Sequence, residues 1–364
     1  MRICLISVEI FAWGKHGGFG KATRTIGREL TKRGIEVFAV VPRRDPQKQV
    51  ENLDGITVLG FEPNNPFSAI KLFKECNADI YHSCEPSFGT YLAMKTMPQK
   101  KHIVTCRDPR DINDWIMEFQ KPSLNKLQVI HNFLYENNFF VRRSVRQMDG
   151  VYTTAIYLLS KVKSIYRLKS KPKFLPTPVI VPQKVTKSEK PTVCYIARFD
   201  RRKRPELFLS LASKFPNVKF IAVGKSRDEK WDSFLRETYA NVPNLEMTGF
   251  VDQFNSNRLS EILETSWIMA NTATREGLAN SFLEASAHRC AILSAVDPDG
   301  FASKFGYQVT DCDFEKGLRY LLENHRWKEQ GEAGFNHVMK TFELSSAIDQ
   351  HLAFYQEILS ASKK

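Results

Sequence analysis

The chain has 364 residues, of which 42% are apolar and 26% charged. That length predicts two domains, and the composition excludes a disordered, collagen-like or coiled-coil protein. The unusual quantity is a net charge of +13, which bears on partners rather than on fold and makes nucleic acid, an anionic membrane surface and phosphorylated ligands the first candidates.

The excess is not shared evenly. Residues 1–185 hold 29 Lys and Arg against 16 Asp and Glu, whereas residues 186–364 hold 24 of each. Such asymmetry points to an anionic surface contacted by the first half. No stretch reaches the ~18 apolar residues of a membrane span. The apolar start, Met1–Trp13, contains Glu9 and lacks a cationic lead, so it reads as a buried strand and not as a signal peptide. Seven cysteines (Cys4, Cys76, Cys84, Cys106, Cys194, Cys290 and Cys312) form no C-x-x-C pair. Their odd number predicts reduced thiols in a cytoplasmic protein and no structural zinc.

In chain order, short apolar β-rich runs alternate with helical patterns. In the first half the runs are Ile3–Ser7, Val37–Val41, Ile56–Gly60, Asp79–His82, Ile103–Cys106 and Val151–Thr154. A long helix capped by Ser123 is expected between the last two, with Leu124, Leu127, Ile130, Phe133, Leu134 and Val141 at helical spacing. The prolines of Leu175–Pro182 forbid a helix and mark a linker that continues through the polar residues 183–191. In the second half the runs are Val193–Ala197, Lys219–Val223, Leu245–Thr248, Trp267–Asn271 and Ala291–Ser294, and an amphipathic helix covers Leu344–Leu359. Two series of this kind predict two doubly wound α/β domains, 1–185 and 186–343, followed by a C-terminal helix, 344–364, that packs back on the first.

Four segments carry chemistry. Gly17-Gly18-Phe19-Gly20-Lys21 follows the first strand and feeds a helix. Such a turn offers free N–H groups to an anion, although an ordinary tight turn reads equally well. Arg198-Phe-Asp-Arg-Arg-Lys203-Arg204 follows the first strand of the second half and would suit a diphosphate. Thr272–Ala287 holds Glu276 and Glu284 eight residues apart, around a helix start near Asn280 or Ser281. One carboxylate could hold a sugar and the other a ribose, with phosphate on the helix end between them. Finally, Ser160–Lys173 gathers Lys161, Lys163, Arg167, Lys169, Lys171 and Lys173 without an acid, interleaved with Tyr157, Leu158, Ile165 and Tyr166. Leu159 belongs to the same interleaved set, and the run reads either as an anionic-surface contact or as a solvated helix end.

Taken together, the E-x7-E pair, the Gly-rich loop, the Arg198…Lys203 pair, Gly224 in Ala-Val-Gly-Lys and Gly249-Phe-Val-Asp resemble the family-4 glycosyltransferases of the GT-B fold. The resemblance implies two Rossmann-like domains facing across a cleft and a retaining hexosyl transfer. The nucleotide-sugar donor would be a UDP-sugar before a GDP-sugar, with no metal or other cofactor required. It implies that Arg198 and Lys203 hold the diphosphate, Glu276 positions the donor sugar, and Leu278, Ala279, Asn280 and Ser281 cradle phosphate. Glu284 would hold the ribose, and Gly18, Phe19, Gly20 and Gly224 would complete the donor site. The family's histidine before aspartate is replaced by Arg107-Asp108. Arg107 cannot act as a base but could bind phosphate or an acidic sugar, and His82 is the nearest alternative on the acceptor side. The expected partners are the nucleotide sugar, a glycan or lipid-linked acceptor and an anionic membrane surface met from the cytoplasmic side. Nucleic acid is not expected. Competing readings are a nucleotide-sugar epimerase and a non-catalytic binding protein of the same fold.

Overall fold

The computed structural model describes residues 1–14 and 16–361. Its elements run β1 (Arg2–Ile6), α1 (Gly18–Lys32), β2 (Glu36–Pro42), β3 (Val50–Leu53), β4 (Ile56–Phe61), α2 (Ala69–Cys76), β5 (Ile80–Ser83), α3 (Phe88–Thr96), β6 (Lys101–Cys106), α4 (Ile112–Gln120), α5 (Lys126–Glu136), α6 (Phe139–Arg146), β7 (Gly150–Thr153), α7 (Leu158–Tyr166) and β8 (Lys173–Phe174). They continue with β9 (Thr192–Ile196), α8 (Pro205–Lys214), β10 (Lys219–Val223), α9 (Glu229–Thr238), β11 (Leu245–Gly249), α10 (Arg258–Thr265), β12 (Ile268–Asn271), α11 (Asn280–Ala287), β13 (Ala291–Ser294), α12 (Phe301–Phe305), β14 (Gly306–Gln308), α13 (Phe314–Leu322), α14 (Arg326–Thr341) and α15 (Leu344–Ser360).

The chain divides into two compact units. The first comprises Met1–Ile112, Ile130–Pro178 and Leu344–Lys364, and the second Asn113–Val129 with Val179–Glu343. Unit 1 is built on the sheet β3-β4-β2-β1-β5-β6-β7-β8, parallel except for the antiparallel edge pair β3–β4. Its strands are apolar on both faces because helices cover both. One core layer joins Ile3, Leu5, Val37, Val58 and Ile80 to Ile348, Tyr355 and Ile358 of α15. Unit 2 carries the all-parallel sheet β11-β10-β9-β12-β13-β14. This is the doubly wound order, and its direction of winding reverses between β9 and β12, where such sheets open a crevice at their C-terminal edge.

Several features depart from the sequence expectation. The long helix is two helices, because Asn138 leaves the helical path (φ −74°, ψ 168°) and caps α6 by accepting from Val141 N at 3.0 Å. Asn125, not Ser123, takes the amide of Gln128 at α5. The apolar stripe points outward: Leu124, Leu127, Ile130 and Leu134 are all exposed. The segment 113–129, counted with the first half by chain order, clusters with unit 2. The short strands β3, β8 and β14 lack the long apolar runs that announce the others.

Candidate functional site at the C-terminal edge of the second sheet

Both halves of the site hang from the two strands that flank the reversal. β9 delivers Arg198 and Lys203, and β12 delivers Glu276. Lys203 and Glu276 are joined by a short ion pair between largely buried side chains. Asn271, the last residue of β12, donates to the same Glu276 oxygen at 3.2 Å. Burial pulls the Lys203 ammonium below its ordinary pKa against the opposing pull of Glu276. The backbone between them is fixed by Thr272, whose hydroxyl donates to the carbonyls of Lys203 (2.6 Å) and Arg204 (2.8 Å).

The basic run is divided by its partners. Arg202 pairs with Glu118 of α4. Arg204, in the left-handed region at φ 48°, donates to Thr272 O at 2.6 Å. Arg201 lies over Trp231, 4.2 Å from the ring centroid, beside a cavity of about 450 Å3 that both line. Arg198 is half-buried, its guanidinium 3.2 Å from buried Asp200. Arg198 and Lys203 stand at the strand edge, each beside an acid, Asp200 and Glu276.

Between Glu276 and Glu284 the chain turns into α11. Ala279 is its N-cap and supplies no side-chain acceptor, so the helix presents its amide end and positive dipole at the sheet edge. Leu278 is buried, while Ala279, Asn280 and Ser281 are partly open. Glu284 sits one turn in and is mostly buried. Its helix is locked behind it by His288, whose Nδ1 meets Glu284 O at 2.7 Å and whose Nε2 meets Ser260 Oγ at 2.9 Å. Gly224, at φ +143°, donates its N–H to Gly249 O at 2.8 Å, and a Cβ there would collide with the carbonyl of Ala197. Glycine is required so that β10 can turn past the end of β9.

The glycosyl transferases group 1 family matches residues 178–331. Over that span the chain is similar to the group 1 glycosyltransferases. No curated protein sequence matches the chain. Among solved structures, a sucrose-phosphate synthase from Thermosynechococcus elongatus superposes with a TM-score of 0.76 at 17% identity, covering 99% of this chain and 100% of that one. A glycosyltransferase from Rickettsia africae gives 0.70 at 16%, covering 99% of each. Anabaena HepE, solved with UDP and glucose, gives 0.72 at 12%, covering 98% of this chain and 99% of that one. The fold is GT-B, with two Rossmann-like units.

The first unit of the chain bears the remaining predicted residues, and several stand differently from expectation. Gly20 N–H donates to Glu9 Oε1 at 3.1 Å, and a side chain on Gly17 would run into the same carboxylate. The Gly18-Phe19-Gly20 turn is thus braced by an anion of the chain itself. Beside it, burial draws Lys21 down to about 7. His82 is not on the acceptor side: it is fully buried, with Nδ1 at 2.7 Å from Tyr355 Oη and Nε2 at 2.7 Å from Thr105 Oγ1. Burial pushes it well below its ordinary pKa, so it is a neutral strut. Arg107 is also internal. It donates Nη1 to Thr177 Oγ1 at 2.9 Å, and its N–H to buried Glu85 at 2.9 Å. Asp108 lies 3.8 Å from Arg110, which pairs with Glu136 at 3.0 Å.

The run from Ser160 to Lys173 is not one surface. Leu158, Val162 and Tyr166 face the core, Lys161 lies 3.5 Å from Asp111, and Lys173 pairs with Glu357 at 2.6 Å. Lys163 is half-buried, and Arg167, Lys169 and Lys171 are exposed. Of the interleaved residues, Leu158 and Tyr166 belong to packing, Ile165 is partly buried and Tyr157 is exposed. Among the described residues no helix is long and apolar enough to cross a membrane, and no three acidic, His or Cys side chains converge as metal ligands. Sequence reading missed Asn271, Asp200 and the braces from α4, which lie at strand ends or in another segment and carry no motif.

Proposed function

We propose that the chain is a retaining hexosyltransferase. It takes its sugar from a nucleotide-sugar donor, UDP-linked before GDP-linked, and passes it to an anionic or lipid-linked acceptor in the synthesis of a glycan or cell-surface polysaccharide. The observation that carries this reading is the Lys203–Glu276 pair at the strand reversal, one turn of chain from the uncapped end of α11.

Arg198 and Lys203 supply the positive charge that grows in value as the nucleoside diphosphate leaves, since fixed cations in a water-poor crevice stabilise developing negative charge. The α11 amides from Leu278 to Ser281 receive phosphate oxygens along the helix dipole. Glu276, aimed by Asn271 and Lys203, accepts hydrogen bonds from sugar hydroxyls and fixes the ring. Glu284, one turn into α11, accepts from the ribose. The close pairing of Lys203 with Glu276 has a chemical consequence: a donor that spans phosphate and sugar engages both groups at once.

A thermal-shift screen against UDP, GDP, ADP and dTDP tests the reading. A ligand at 100 times its Kd adds about 2.7 kcal/mol of stability, so UDP or GDP should raise the melting temperature. No shift with any nucleotide would overturn the donor site.

A further inference from the structure

Unit 1 carries a seam of aromatic rings in which each touches the next. Centroids lie 5.6 Å apart from Phe67 to Phe88, 5.5 Å from Phe88 to Tyr91, 5.0 Å from Tyr91 to Phe140 and 5.8 Å from Phe140 to Phe139. Tyr135 of α5 reaches the same Phe88 at 6.4 Å. The seam joins the turn before α2, which carries Phe67, to α3, α5 and α6, and its ends are open to water. Phe67 is 58% exposed, Phe140 48% and Phe139 66%. On α5, next to Tyr135, Ile130 and Leu134 are 44% and 59% exposed. A run of large apolar side chains left in water marks an interaction surface.

We infer that this face of unit 1 docks on an anionic lipid bilayer. Three observations select that occupant. Aromatic rings and aliphatic Ile130 and Leu134 stand side by side, and the aliphatic groups offer nothing to sugar hydroxyls, whereas a headgroup–hydrocarbon boundary takes both kinds. The segment from Asn137 to Met148 holds Arg142, Arg143 and Arg146 and no acid. Arg142 and Arg146 donate to the carbonyls of Ile165 (2.5 Å) and Tyr166 (2.9 Å), which fixes two of these charges on α6, while Arg143 is exposed. The whole positive excess of the chain lies in residues 1–185, and anionic lipid attracts cations held near its surface. The contact thus falls on the α5–α6 face and not on the Ser160–Lys173 run. The inference rests on the proposed function only in that a lipid-linked acceptor would be met at this face.

The test is sedimentation of the full chain with vesicles of phosphatidylcholine alone and of phosphatidylcholine with one quarter phosphatidylglycerol. The wild type should pellet with the anionic vesicles and stay in solution with the neutral ones. Leu134→Ser/Phe139→Ser should weaken the partition by about tenfold or more. Arg143→Glu should weaken it by about fivefold or more. Both variants should keep the wild-type melting temperature, as expected for exposed positions. Equal pelleting with both vesicles, or variants that pellet like the wild type, would overturn the inference. So would a wild-type dimer in light scattering that the double variant abolishes, because the face would then belong to a second copy. The UDP shift reads the donor site separately: vesicle binding without it would sink the proposed function alone, and the shift without vesicle binding would sink this inference alone.

Discussion

At the scale of single residues, Lys203 concentrates the chemistry and the exposure to pH. Lys203→Ala removes a fixed cation from the leaving group, and turnover should fall by roughly 10²–10³, with the UDP-induced thermal shift reduced. Because burial lowers its pKa, the ammonium is lost earlier in an alkaline titration than from an ordinary lysine. The alkaline limb of kcat/KM should therefore lie below the usual lysine range. Lys203→Arg keeps its charge and should move that limb upward; an unmoved limb would assign it to another group. A second pH effect concerns stability. Buried His351 has its pKa pulled down to about 3 by desolvation, and His82 moves the same way. The unfolded chain takes up these protons near 6.5 and the folded chain does not, so their contribution is full above pH 6.5 and drains away as pH falls below it, for His351 at about 1.4 kcal/mol per unit toward pH 3. Urea midpoints should fall from pH 7.5 to pH 5, and His351→Gln should flatten the slope. Gly224→Ala should cost about 3 kcal/mol or more through positive φ and the Ala197 carbonyl together, measurable by the same unfolding.

At the scale of elements, α4 braces the loops of unit 2 that carry Arg202 and Arg275. Asp114 pairs with Arg275 at 2.7 Å and Glu118 with Arg202, all four side chains largely buried. Asp114→Ala removes the nearer of the two α4 acids from the buried Arg275 guanidinium, Glu118 remaining at 4.0 Å, and should cost about 1–3 kcal/mol. Replacing Asp114 and Arg275 together by leucine should recover most of that loss in urea unfolding, since an apolar pair leaves no charge uncompensated. None of this could be read from the sequence. Arg202 and Arg275 sit in the expected motifs, but their acids are 84 and 161 residues away, and no spacing rule reaches that far. The same limit explains α5. Period identifies a helix with an apolar stripe but not what covers the stripe, and here much of it is uncovered. Where the signal was local the reading was sharp: Glu276, Glu284 and Lys203 fall at strand and helix ends because apolar runs and the Pro205 helix start bracket them. His82 and Arg107 were misplaced because a strand end looks the same in sequence whether its side chain turns to solvent or inward.

At the scale of the whole molecule, the two α/β series were legible because continuous apolar strands alternating with helices admit few other topologies. The charge was legible as a total and as a division between halves, but its placement was not. Many cations of unit 1 are spent on local pairs such as Arg24–Asp54 and Arg110–Glu136. What remains should make vesicle binding fall steeply between 50 and 500 mM salt, because screening shortens the reach of exposed charge, whereas a UDP shift at the proposed site, whose Lys203 is largely buried, should change less. The path of the chain has one more consequence. Unit 1 is begun by β1 at the centre of its sheet and finished by Ile348, Tyr355 and Ile358 of α15, which close the same core. On a ribosome those residues emerge after nearly all of unit 2, so the first unit to be started is the last that can be completed. Until α15 arrives, Ile3, Leu5 and Val37 have one wall missing, and newborn chains in that interval offer an apolar cleft for chaperones to hold.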